Sequence, residues 1–292
     1  MNSYTIEEFA EEVKEVFYKR FPAKEVRIDK VDKNNRILTG IAVIPRGEEK
    51  KSHPVLYLDN YFDIVQSGVP KWAVIDKLAK DYIRAVQQVH STALDMGKFT
   101  SKDYILKHVT PRLVSAGEHL NSKLHDEFLD MGVTYSVRVE APPPYGFAAY
   151  EIPEGILESR GMTRQELTDA AYANLGREIT AMSSHNGIWS VSNPEQTYGA
   201  SMMLSSKVRA AIAGKIGDFI ALPVSVNQWA CIPAAEDDDL SDLIKWWKKR
   251  RISVPAEEKL SDSIYRYNSR TDEFSIVKLP RAKRQKGDRT DG

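Results

Sequence analysis

Val133-Thr134-Tyr135-Ser136-Val137-Arg138-Val139 sets Val133, Tyr135, Val137 and Val139 in alternation with Thr134, Ser136, Arg138 and Glu140. A period of two sends successive side chains to opposite faces, so the stretch reads as a half-buried strand. Pro142-Pro143-Pro144-Tyr145-Gly146 follows as a rigid turn, and Phe147 to Ile152 as the partner strand. The same grammar recurs along the chain. Glu25 to Val31 pairs with Ile37 to Ile44 across Lys33-Asn34-Asn35-Arg36, and Phe219 to Val224 with Gln228 to Ile232. Ser263 to Tyr267 pairs with Phe274 to Val277 around Ser269-Arg270-Thr271-Asp272, and Ile188 to Val191 with Ala200 to Leu204.

Helices fall between these hairpins. Thr5 and Glu8, then Thr163 and Glu166, have the spacing of capping boxes, in which each residue's side chain closes on the other's backbone amide. Ile6, Phe9, Val13, Val16 and Phe17 form the apolar stripe of the first helix, and Leu167, Ala170, Ala171, Leu175 and Ile179 that of the second. Helical spacing also covers Trp72 to Thr92, and Ser101 to Leu129 with a break near Pro111. Val208 to Ile216 ends at Gly217, and Leu240 to Lys249 has acids before it and bases at its end. Hairpins separated by single helices predict an α+β fold, mostly an antiparallel sheet with helices packed on one side and divisible into two subdomains. The expected units are a helix-hairpin-helix region over 1–96, an α+β domain over 97–277, and a basic, disordered tail over 278–292.

Composition narrows the function classes. Apolar residues make up 42% of the 292 residues and basic and acidic residues balance at 41 each, so the body has no net charge to attract nucleic acid or acidic lipid. Cys231 is the single cysteine, which excludes an intrachain disulfide. No apolar run approaches the ~20 residues that span a bilayer, and the opening residues carry no apolar signal segment, so a cytoplasmic protein without membrane contact is expected.

Catalytic patterns are few, and each has a plain structural reading. His53, His90, His108, His119, His125 and His185 never pair at the three- or four-residue step that puts two metal ligands on one helical face. Ser205-Ser206-Lys207 spells a nucleophile beside a lysine, but serine is also the favoured cap of the helix that follows. Cys231 lies in a predicted strand as a small core residue. Glu48-Glu49-Lys50 has the spelling of a nuclease pair in a charged loop. The acidic pairs Glu7 and Glu8 and Glu11 and Glu12 lie on a solvated helix face, and Gly214 and Gly217 flank a helix end rather than a phosphate-binding start. No catalytic, cofactor or metal residue is assigned.

Two surfaces stand out as contact candidates. Lys278, Arg281, Lys283, Arg284, Lys286 and Arg289 in the tail suit non-specific phosphate contact, although no aromatic residue is interleaved for base stacking. Adjacent Trp246 and Trp247 point to different faces of one helix, and an exposed tryptophan suits a protein interface.

The order of the later segments carries a resemblance. Val133 to Val139, the Gly161-Met162-Thr163 helix start, Ala171-Tyr172-Ala173-Asn174-Leu175, Tyr198-Gly199-Ala200-Ser201 and Gly217 to Pro223 look like a domain-of-unknown-function family of gut Firmicutes and their mobile elements. Tyr57-Leu58-Asp59-Asn60-Tyr61 and Pro111-Arg112-Leu113-Val114 resemble it too. More remotely, Val133 to Val277 is similar to the YtpQ-like proteins. Val224-Ser225-Val226-Asn227-Gln228-Trp229 departs from the polar run such relatives carry after the proline. The resemblance implies no catalytic residue. The expected function is a non-enzymatic binding or regulatory protein, a mobile-element accessory acting through protein–protein contacts. Two alternatives stand beside it: a hydrolase or nuclease with a site assembled from sequence-distant residues, and nucleic-acid binding through the tail.

Overall fold

The computed structural model describes residues 4–33, 36–47, 53–89, 101–117, 120, 123–140, 147–234 and 240–277. Helix α1 (Ile6–Arg20) starts at the first capping box: the Thr5 hydroxyl accepts the Glu8 N–H at 3.2 Å and the Glu8 carboxylate accepts the Thr5 N–H at 2.8 Å. Its buried stripe of Phe9, Val13 and Phe17 packs on the first sheet, of order β1 (Lys24–Lys33), β2 (Arg36–Pro45), β3 (Val55–Tyr57). Helices α2 (Asp59–Gln66) and α3 (Lys71–Val89) complete this layer. There the Tyr82 hydroxyl donates to the Val43 carbonyl and accepts from its N–H, both at 3.0 Å.

Helix α4 (Lys102–His108) leads into the second sheet, built from β4 (Val109–Ser115), β5 (His125–Phe128), β6 (Met131–Glu140) and β7 (Phe147–Glu151). The alternating stretch is β6, the centre of this sheet, with β4 along one edge and β5 and β7 along the other. The helix expected over Ser101 to Leu129 is therefore corrected beyond His108, where the chain turns extended. The apolar spacing of Leu113, Leu124 and Phe128 mimics a helical stripe, but tertiary pairing with β6 overrides it. Pro111 is tolerated because β4 is an edge strand. The expected half-burial of β6 is corrected as well. Thr134 and Ser136 on its polar face are buried along with Val133 and Val137.

Helix α5 (Ile156–Ser159) precedes α6 (Arg164–Leu175), which opens on the second capping box and sets Leu167 and Ala171 against Val109 and Tyr135. The α6 stripe stops at Leu175, and Ile179, expected to be buried, is 73% exposed beyond the helix end. The third sheet has the order β13-β12-β10-β11-β9-β8. It uses β8 (Ala181–His185), β9 (Ile188–Ser192), β10 (Phe219–Ser225), β11 (Gln228–Pro233), β12 (Tyr265–Asn268) and β13 (Glu273–Ile276). Ala200 to Leu204, expected to be the partner strand of β9, forms instead a 3-10 segment, Gly199–Leu204, and β8 takes the partner's place.

Helix α7 (Ser206–Ile216) adds Val208 and Ile212 to a core shared by the second and third sheets, with Leu113, Met131, Val133, Phe219, Trp229 and Tyr265. Helix α8 (Ser241–Arg251) covers the opposite face of the third sheet through Trp247 on Ile220, Leu222 and Ala230. The whole is an α+β fold of open antiparallel sheets. Among the described residues no helix is long and apolar enough to cross a membrane.

Candidate functional site

Strand β4 carries Arg112 opposite Thr134 of β6, on the face that also bears Ser136. The side chain is 8% exposed, and its Nη1 donates to the Ser136 hydroxyl at 2.9 Å. Its guanidinium carbon lies 3.1 Å from the centre of the Tyr198 ring. Its Nε is buried with no partner, and among the described residues no carboxylate lies within ion-pair distance of it. Arg138, beside it, is by contrast paired to Glu178 at 2.6 Å. Burial pushes the Arg112 pKa down to about 9, Arg138 adds repulsion, and the attraction of Glu151 opposes both. The group thus stays charged at neutral pH. A buried charge without a counter-charge costs several kcal/mol.

Tyr198 is held in place from behind. It adopts φ 53°, an uncommon left-handed conformation for a tyrosine, and its N–H donates to the Asn227 side chain at 2.8 Å. Gly199 follows because a Cβ there would lie 2.6 Å from the Asn193 nitrogen and 2.7 Å from the Asn227 carbonyl. Ser201 then accepts the Leu113 N–H at 3.0 Å, which ties the 3-10 segment to β4. The Trp229 indole donates to the Ala200 carbonyl at 3.0 Å. Thr110, Asn193 and Thr197 help line a cavity of about 20 Å³ beside Arg112 and Arg138. That is room for a water molecule or one small polar head.

The polar chain continues from Asn227 towards the first layer. The Asn227 amide donates to Glu258 at 3.3 Å, and the neighbouring Glu257, 3% exposed, accepts from Asn60 at 3.2 Å. The second oxygen of Glu257 is buried without a partner. Burial raises the pKa of Glu258 and of Asp59, and the charge of Glu257 raises both further. Asn60, Arg112, Tyr198 and Asn227, far apart in sequence, therefore belong to one continuous polar seam.

Matching to a family model extends over residues 6–185 and 177–269, nearly the whole of the described fold. The chain belongs to DUF5688. This is a family of unknown function. No curated protein and no solved structure matches the chain. In this DUF5688 protein, three segments that carried the sequence resemblance (57–61, 111–114 and 198–201) meet along the seam.

The other candidates lie elsewhere. Trp247 is buried and donates its indole N–H to the Pro223 carbonyl at 2.9 Å, and Trp246 is partly buried beside the same cluster. The tail residues Lys278, Arg281, Lys283, Arg284, Lys286 and Arg289 lie outside the described residues, as do Glu48-Glu49-Lys50, His90, His119 and the Pro142 to Gly146 turn. Cys231 is fully buried on β11, and burial pushes its thiol well up, away from the thiolate a nucleophile needs. Ser205 stands at the N-cap of α7 without a side-chain bond to the backbone, and Ser206 bonds Asp272. The His125 ring meets the Lys123 carbonyl at 2.9 Å, and His108 packs on Tyr104 at 4.3 Å. Among the described residues no group of three or more histidine, cysteine or acidic side chains could hold a metal ion.

Sequence reasoning passed over Arg112 because Pro111 and its neighbours read as a broken helix. The available signal was a lone arginine in front of Leu113-Val114, together with a Tyr-Gly pair that suits a left-handed turn.

Proposed function

We propose that this DUF5688 protein is a non-enzymatic binding protein whose recognition site is the recess at Arg112, and whose ligand places an anionic group there. The observation that carries this reading is the Arg112 guanidinium, buried, charged and without a carboxylate partner. Folding has buried that charge at a cost, and an incoming carboxylate or phosphate oxygen would offset it with charge-assisted hydrogen bonds. Tyr198, Ser136 and the turn around Asn193 hold the guanidinium in place before the ligand arrives, which lowers the ordering cost of binding. The accessory role on a mobile element, the link to gut Firmicutes and the use of protein partners rest on the sequence resemblance alone.

The test is a thermal-shift series with acetate, phosphate and chloride at constant ionic strength, on the wild type and on Arg112→Met. Acetate or phosphate should raise the melting temperature saturably in the wild type and leave Arg112→Met unmoved. Equal responses in the two proteins would overturn the reading.

A further inference from the structure

The balance of 41 bases against 41 acids over the whole chain hides a local excess. Helix α8 ends in Lys248-Lys249-Arg250-Arg251, and the first three are exposed and make no ion pair among the described residues. Arg251 differs: it is buried, lies over the Trp247 ring at 4.6 Å and pairs with Asp262 at 2.6 Å. On α3, by contrast, Lys71, Lys77, Lys80 and Arg84 all have carboxylate partners. The cations at the end of α8 are held out into water instead.

The fold brings a second basic stretch to the same end. Val277 packs in the cluster under α8, and its N–H donates to the Ile264 carbonyl at 2.7 Å. Ile264 is two residues from Asp262, a span of no more than about 7 Å. The chain therefore passes into residues 278–292 close to where Arg251 anchors the end of α8. Those residues carry Lys278, Arg281, Lys283, Arg284, Lys286 and Arg289 against Asp288 and Asp291. The helix dipole accounts for cations in the last turn of α8, but not for six more that begin beside them. Like charges gathered in this way repel one another, and a polyanion relieves that repulsion.

The surroundings narrow the polyanion. Leu243, Ile244 and Trp247 are turned into the cluster on the third sheet, which leaves Ile252, 79% exposed, as a lone apolar side chain rather than a face to sink into lipid. Trp247 spends its indole on the Pro223 carbonyl and Trp246 packs in the same cluster, so α8 offers no free ring on which unpaired bases would stack. Contact then falls on phosphates, which a duplex presents in a regular array.

The geometry points to a nucleic-acid surface made jointly by Lys248, Lys249 and Arg250 of α8 and the basic residues 278–292, which grips the phosphates of a duplex without reading its sequence. It lies outside the Arg112 recess and does not rest on the reading of that site.

The test is fluorescence anisotropy of a labelled DNA duplex of mixed sequence with the full chain, between about 50 and 200 mM salt. Three triple variants are compared with the wild type: Lys248→Gln, Lys249→Gln and Arg250→Gln; Lys283→Gln, Arg284→Gln and Lys286→Gln; and, as control, Lys77→Gln, Lys80→Gln and Arg84→Gln. The helical positions are all exposed, and circular dichroism checks that each variant folds. The first two variants should each weaken binding by about tenfold or more and make the slope of log affinity against log salt shallower by about 2–3. The α3 control removes as much charge and should change affinity by less than about twofold. A control as damaging as the α8 variant would mean that net charge rather than this surface binds the duplex, and would overturn the proposal. So would wild-type binding by either of the first two variants. Absence of duplex binding, with or without capture of the protein by phosphatidylserine vesicles, would overturn it as well.

Discussion

The Arg112 guanidinium stacks on the Tyr198 ring at 3.1 Å, while the Tyr198 backbone N–H is held by Asn227 at 2.8 Å. An edge strand of the second sheet is thereby clamped to a left-handed turn lying on the third. The stack gives Arg112 a cation–π partner in place of a carboxylate, and that exchange creates the candidate site.

Arg112→Met should separate stability from binding. Methionine keeps much of the length and apolar packing of the side chain, and the unpaired buried charge disappears. The variant should unfold within about 1 kcal/mol of the wild type, or be more stable, because replacing buried charge with packed apolar atoms is often neutral or favourable. Urea denaturation gives the stability and the acetate titration gives the binding. A loss of several kcal/mol would mean that Arg112 holds the fold together rather than awaiting an anion.

Gly199→Ala should cost about 1–3 kcal/mol, the usual penalty of overpacking. The new methyl would meet the Asn193 nitrogen and the Asn227 carbonyl, which are backbone atoms and cannot rotate away. Relief has to come from moving the turn, so Tyr198 should leave Arg112 as well. Anion affinity and chemical-denaturation midpoint should therefore fall together, whereas an unchanged midpoint would contradict the close approach at Gly199.

Glu257→Gln should be neutral or stabilising by up to about 1 kcal/mol at neutral pH, because the amide retains an acceptor for Asn60 and removes a charge whose second oxygen is orphaned. Removing that charge should also lower the raised pKa values of Glu258 and Asp59, leaving burial as the main cause of each shift. Asn60→Ala should do the opposite and cost about 1–3 kcal/mol by stripping Glu257 of its hydrogen bond. Denaturation curves of the two variants are expected on opposite sides of the wild type.

Acid should weaken the fold at Asp272. Its two oxygens take the Arg209 Nε and Nη2 at 2.8 Å each, and this pairing holds its pKa down at about 2, against the ordinary 3.8. The folded protein therefore holds the charged form more tightly than the unfolded chain does. That contribution is complete above about pH 4 and is lost as pH falls towards 2. Glu166, lowered to about 2 by Lys102 and by its capping bonds, acts in the same window. Asp272→Asn should flatten the profile of unfolding free energy against pH between pH 4 and 2 and lower it by about 1 kcal/mol at pH 7, a small figure because the carboxylate is partly screened by water. A profile as steep as the wild type would disprove the assignment.

Trp247→Phe should leave the Pro223 carbonyl without its indole donor inside the cluster under α8, at a cost of about 1–3 kcal/mol. Thermal unfolding followed by fluorescence checks it, and a change below a few tenths of a kcal/mol would place the stability of that face elsewhere.

Elements whose partners lie close in the chain follow from the residues alone. Both capping boxes, the β1–β2 hairpin, the β10–β11 hairpin and the strand at Val133 were legible because their interactions span a few residues and carry their own period. Tertiary structure decided the rest. Val109 to Ser115 became a strand because β6 offered an open edge. Gly199 to Leu204 became a 3-10 turn because Asn227 and Val226 hold its backbone, and Ile179 was left outside because α6 stops at Leu175. The candidate site belongs wholly to this second kind. Arg112, Tyr198, Asn227 and Glu257 have no common spacing, and what joins them is the stacking of one sheet on another. An unpaired buried charge, moreover, is defined by what surrounds it, and a sequence does not state its surroundings.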